Sequence, residues 1–122
     1  MPDVEHLTAD DLAAINREIL KKSGEEIGDA NTGDLGFVAS KVENTGGVFR
    51  KCAVLMLEII KSKPFSSGSL RTAWEAGRVF IQANGRDFVI KEKKDVLDLI
   101  KGMEEGKIGL EGVEEWVEKH SH

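Results

Sequence analysis

The sequence predicts an all-α fold: a single compact bundle of about six helices over residues 1–122, with at most a short extended segment near 86–90. Three observations carry that expectation. Apolar residues at 48, 52, 55, 56, 59 and 60 form one continuous helix stripe, and Val54 and Leu57 add a second. A helix apolar round most of its circumference is usually the buried centre of a domain. Leu70, Ala73, Trp74, Gly77, Phe80 and Ile81 then give another 3.6-residue stripe. Two prolines and no tyrosine do not suggest a β-sandwich.

The first helix is announced by Thr8 and, three residues on, Asp11, a variant of the capping box. Leu12, Ile15, Ile19 and Leu20 mark its buried face, and Ser23-Gly24 ends it. Residues 24–33 read as a polar connection. A second helix from about Asp34 to Glu43 buries Leu35, Val38, Ala39 and Val42, and Asn44-Thr45-Gly46-Gly47 closes it. The third is the apolar segment from Val48, stopped before Pro64. The fourth is opened by Ser66, Ser67 and Ser69, which suit an N-cap, and closed by Asn84-Gly85. Arg86 to Ile90 alternates as an extended piece too short to make a sheet alone. Val96, Leu99, Ile100 and Met103 are spaced for a fifth helix, and Leu110, Val113, Trp116 and Val117 for a sixth.

Between the two central helices lies Lys61-Ser62-Lys63-Pro64-Phe65-Ser66-Ser67-Gly68-Ser69-Leu70-Arg71-Thr72-Ala73. The backbone N–H groups at about Gly68 to Leu70 open a helix and have no intrahelical partner, which makes the end a ready anion site. Gly68 lets backbone approach a ligand, and Arg71, one turn in, adds a possible bidentate phosphate contact. On this pattern alone the alternative is a plain helix cap.

Residues 63–73 resemble the His-Pro-Phe-x-Asp-Gly-Asn-Lys-Arg-Thr-Ala motif of the Fic/Doc family, on its death-on-curing (Doc) toxin branch. Similarity extends to Thr8-Ala9-Asp10-Asp11-Leu12, to residues 34–42, to Phe80-Ile81-Gln82-Ala83-Asn84-Gly85, and to residues 103–111 followed by Trp116. The resemblance implies a Fic/Doc-like helical domain spanning nearly the whole chain. It implies ATP with Mg2+ as cofactor and, as activity, phosphotransfer to a translation factor or AMP transfer to a protein hydroxyl. An antitoxin protein is the implied partner.

Residue by residue, the resemblance places the general base at Lys63, the magnesium-holding acid at Ser67, nucleotide-phosphate contacts at Gly68, Ser69, Leu70 and Arg71, and the motif scaffold at Pro64, Phe65, Thr72 and Ala73. Four of these positions depart from the family pattern. Lysine stands for the histidine base, and an ammonium of ordinary pKa about 10.4 is protonated at neutral pH. A serine hydroxyl is a poorer ligand for a hard dication than a carboxylate. Ser69 shortens one phosphate-facing polar group, and Leu70 removes a cation. What survives builds the loop and anion pocket; what is lost performs proton transfer and metal binding. The expectation is therefore a degenerate member with weak or absent transfer, and the alternative is an active transferase of a toxin–antitoxin module.

Regulation follows the same lines. The family's inhibitory pattern, Ser/Thr-x-x-x-Glu-Gly/Asn, is not satisfied at Glu43, Glu105 or Glu111, where residue 39, 101 or 107 is alanine or lysine. Inhibition by a separate antitoxin is what the resemblance implies instead.

A net charge of −5 argues against a general nucleic-acid or membrane binder. One cysteine permits no internal disulfide, and Cys52 on the apolar stripe reads as a buried thiol. No apolar run approaches the roughly 20 residues that span a bilayer, so the chain is expected to be cytoplasmic. His120-Ser121-His122 reads as a frayed tail, Trp74 and Trp116 as core aromatics, and the pairs Glu104-Glu105 and Glu114-Glu115 as solvated.

Overall fold

Six α-helices organise residues 3–122, the residues the computed structural model describes: α1 (Ala9–Lys22), α2 (Thr32–Glu43), α3 (Val48–Ser62), α4 (Ser69–Ala83), α5 (Lys93–Glu104) and α6 (Leu110–His120). Together they form a compact helical bundle, and no strand occurs among the described residues. The Thr8 hydroxyl accepts from Asp11 N–H at 3.1 Å while the Asp11 carboxylate accepts from Thr8 N–H at 2.8 Å, so the capping box is complete. The second helix starts two residues earlier than the apolar pattern indicates. Asn31 caps it by accepting from Asp34 N–H at 3.0 Å, which lets Thr32 and Gly33 join the first turn.

Nine of the fifteen residues of α3 are buried and only Lys61 is exposed, and the helix packs against α2, α4, α5 and α6. The apolar circumference read from the sequence is thus the centre of the bundle. α4 approaches α3 closely at Gly77, where a Cβ would lie only 2.6 Å from Met56 Sδ. Burial pushes the neighbouring Cys52 thiol well above its ordinary pKa, and its Sγ–H donates to the Gly77 carbonyl at 3.5 Å. It is a packing thiol and not a reactive one.

Polar residues of the interior join the elements. Lys51 is buried on α3 and donates to the carbonyls of Val42 and Glu43, both at 3.0 Å, with His6 Nε2 2.9 Å away. An ammonium at a helix C-terminus meets both the unpaired carbonyls and the negative end of the dipole. Glu58, also on α3, pairs with Lys41 of α2 at 2.6 Å.

The C-terminal residues are ordered into the fold and do not form a frayed tail. Val89 N–H donates to His120 O and His122 N–H to Asp87 O, each at 2.8 Å, forming an antiparallel bridge between Phe88 and Ser121. Ser121 is buried, and its hydroxyl donates to Val117 O. The short extended piece therefore finds its partner in the tail, which the sequence pattern did not show. Trp74, Phe88 and Trp116 pack as an aromatic cluster with centroids 5.2–5.9 Å apart, and His120 stacks on Trp116 at 3.9 Å. Glu114, expected to be solvated, pairs with Arg50 at 3.0 Å. Among the described residues no helix is long and apolar enough to cross a membrane.

Candidate functional site

The 63–73 segment is a short loop, residues 63–68, that runs into the first turn of α4 and is clamped at both ends. α3 stops at Ser62 because Lys63 adopts the left-handed conformation (φ 45°, ψ 61°) and Pro64 cannot extend the helix. Pro64 and Phe65 are buried, and the Pro64 carbonyl accepts from Asn31 N–H at 2.7 Å. Thr72 and Ala73, fully buried, seat the start of α4 against the core. The scaffold positions Pro64, Phe65, Thr72 and Ala73 accordingly shape the loop from below and contribute no exposed chemistry.

The helix opening differs from the sequence expectation. None of Ser66, Ser67 and Ser69 caps α4; the N-cap is Gly68, left-handed at φ 76°, ψ 18°, and no side chain bonds to the end. Glycine meets that conformation without the Cβ clash other residues suffer. The first intrahelical bond into this end is Thr72 N–H to Gly68 O at 2.9 Å, which leaves the preceding N–H groups pointing outward. Here Lys63, Phe65, Ser66, Ser67, Gly68, Ser69, Leu70 and Arg71, with Glu104 from α5, enclose a depression of about 430 Å3.

Two residues outside the motif hold this loop. Asn16 of α1 is only 5 % exposed, and its Nδ2 donates to Ser67 O at 2.9 Å and to Thr72 Oγ1 at 3.0 Å. A buried polar group with both partners made fixes the loop to α1 and α4 together. Its sequence signal is a polar residue in the middle of the Leu12–Leu20 stripe. The second is Glu25. Its carboxylate accepts from Arg71 at 2.6 Å, from the Ser67 hydroxyl at 3.2 Å and from the Ser23 hydroxyl. Hydrogen bonds from Ser23 first and then from Arg71 hold the Glu25 carboxyl below its ordinary value. No local signal marks this residue, because only the tertiary fold brings the polar connection onto the motif.

That connection crosses the loop rather than standing free of it. Ala30 pairs with Phe65 in an antiparallel bridge, and Gly28 packs so tightly on Ser66 that a Cβ there would collide with the serine hydroxyl.

The predicted site residues are thus brought together, with unequal chemistry. Arg71 points to the depression and is already engaged by a carboxylate. Lys63 is exposed at the rim; its backbone N–H donates to Ile59 O at 3.0 Å, and its ammonium makes no hydrogen bond or ion pair among the described residues. Leu70 brings no charge. Ser67, the position implied for the metal, offers one neutral hydroxyl that donates to Glu25, and no cluster of three or more His, Cys, Asp or Glu side chains suited to a metal occurs among the described residues. This donor set does not fit a resident Mg2+, whereas backbone N–H groups with Arg71 and Lys63 fit a phosphate-class anion. No protein-family model matches the chain, and no curated protein matches it significantly.

Proposed function

We propose that this chain is a Fic/Doc-like protein, related to the death-on-curing toxins, which retains recognition of phosphate-class anions at its 63–73 segment but has weak or absent transferase activity. The uncapped start of α4 beside Arg71 is the observation that carries this reading. Three elements of anion binding coincide there: outward N–H groups, the positive end of a helix dipole and a guanidinium. Hydroxyl transfer needs a base that is unprotonated when the target arrives. Lysine at 63 offers an ammonium, and loss of a general base alone lowers such rates by about 10²–10⁴-fold.

Glu25 has a place in this scheme. By pairing with Arg71 and Ser67 it stands where an anion's oxygens would bind, so a ligand must displace it. The protein then serves as an anion-responsive interaction module, with an antitoxin-like protein as the partner of the alternative, active form.

The direct test is transfer of label from ATP, in the presence of Mg2+, to a translation elongation factor. The expected result is labelling no greater than that without the protein. Robust labelling that disappears in Lys63→Ala would overturn the reading and establish the active transferase.

A further inference from the structure

A second and larger cavity, of about 640 Å3, lies on the other side of Lys63, between α3 and the α5–α6 connection. Its wall is aliphatic: Val54, Leu57, Ile60, Met103, Ile108 and Leu110. Its size falls in the range that holds small molecules, roughly 300–1,000 Å3. The wall is also preformed. Ile108 is pressed against Gly102, where a Cβ would overlap its side chain, and against Gly112, where a Cβ would come within 3.0 Å of Ile108 Cγ2. The backbone of the α5–α6 connection is held as well, because Lys107 and Ile108 N–H both donate to the Gly102 carbonyl, at 2.8 and 3.0 Å.

Unpaired charge at the mouth is positive on balance. Lys41 and Glu58 neutralise each other at 2.6 Å. Lys61 and Lys63 make no ion pair among the described residues, so two ammonium groups border an aliphatic pocket on a chain of net charge −5. Glu104 supplies the one carboxylate at this mouth that is not already paired. No aromatic ring lines the cavity for stacking a planar base, and no side-chain amide or hydroxyl is there to read one. The lining matches a hydrocarbon body with an anionic head.

We infer that this cavity binds an amphipathic carboxylate, an acyl chain lying along Leu57, Met103 and Ile108 with its head group between Lys61 and Lys63. Burial of methylenes supplies the attraction, and the lysines select the anion over a neutral or cationic analogue. The site does not depend on the anion loop at α4, although Lys63 borders both.

Isothermal titration of the full chain with decanoate, decanol and decylamine tests the inference. Decanoate is expected to bind at least about tenfold tighter than the other two. Lys61→Glu combined with Lys63→Glu should abolish that preference, Leu57→Asn should weaken decanoate about tenfold, and Arg71→Ala, which removes the guanidinium of the anion loop outside this cavity, should leave decanoate affinity as in the parent. All the substituted side chains are exposed or half-buried, so circular dichroism should show the folded helix content unchanged. Equal affinity for decanoate and decanol, a preference that survives the double lysine exchange, or no decanoate binding at about 1 mM would each overturn the assignment.

Discussion

Asn16→Leu is expected to destabilise the protein by roughly 2–3 kcal/mol and to lower its melting temperature by about 10 °C. The leucine fits the apolar stripe between Leu12 and Leu20 and gains some burial. It also leaves the Ser67 carbonyl and the Thr72 hydroxyl without their donor, in a place that is 5 % exposed at residue 16 and fully buried at Thr72. An abandoned buried acceptor costs more than the net worth of the bond that satisfied it. Urea denaturation of Asn16→Leu, Thr72→Val and the double variant measures the coupling directly. A coupling of about 1 kcal/mol is expected between Asn16 and Thr72. Strict additivity would mean that the 3.0 Å contact contributes nothing and that Asn16 holds the loop through the Ser67 carbonyl alone.

Glu25→Gln is expected to tighten sulfate binding at the loop roughly tenfold at neutral pH, by removing a competitor for Arg71 and a repulsive charge beside the ligand. Sulfate is the chosen probe because it keeps one charge state across the range tested. The sign of the pH effect follows from the lowered pKa. Glu25 is ionised and paired at and above the ordinary glutamate value of 4.5, and it takes up its proton only as the pH falls through its lower, folded value. Whatever stability the pair contributes is therefore fully present above 4.5 and is lost progressively as the pH falls from there through the lower, folded value. In the parent protein sulfate affinity should rise over that same acid window as Arg71 is released. Glu25→Gln should lack that component, so the two proteins converge at low pH. Parallel curves, or equal affinities at pH 7, would show that Glu25 does not guard the site.

The fold was largely legible because its signals are local. The capping box at Thr8 and Asp11, the all-round apolarity of residues 48–60 and the glycine and proline stops each follow from a few neighbouring residues. What escaped the sequence depends on distant pairings. Nothing near Arg86–Ile90 or in His120-Ser121-His122 shows that each completes the other's hydrogen bonds. Lys51 looks like an ordinary helix-surface lysine until α2 is known to end beside it. At the loop the sequence pointed to the wrong cap: serines are strong N-caps in general, but here the left-handed Gly68 turns the chain first and Ser67 donates to Glu25 instead. Asn16 carried a faint signal as a polar break in an apolar stripe, whereas Glu25 carried none.

On the proposed reading the start of α4 binds phosphate-class anions without a resident metal. Calorimetric titration of the parent and of Arg71→Ala with ATP and AMP, each with and without Mg2+, decides whether it does. Binding that is indifferent to magnesium and lost in Arg71→Ala is the predicted result. No binding at about 1 mM ligand, or equal binding by the two proteins, would contradict it.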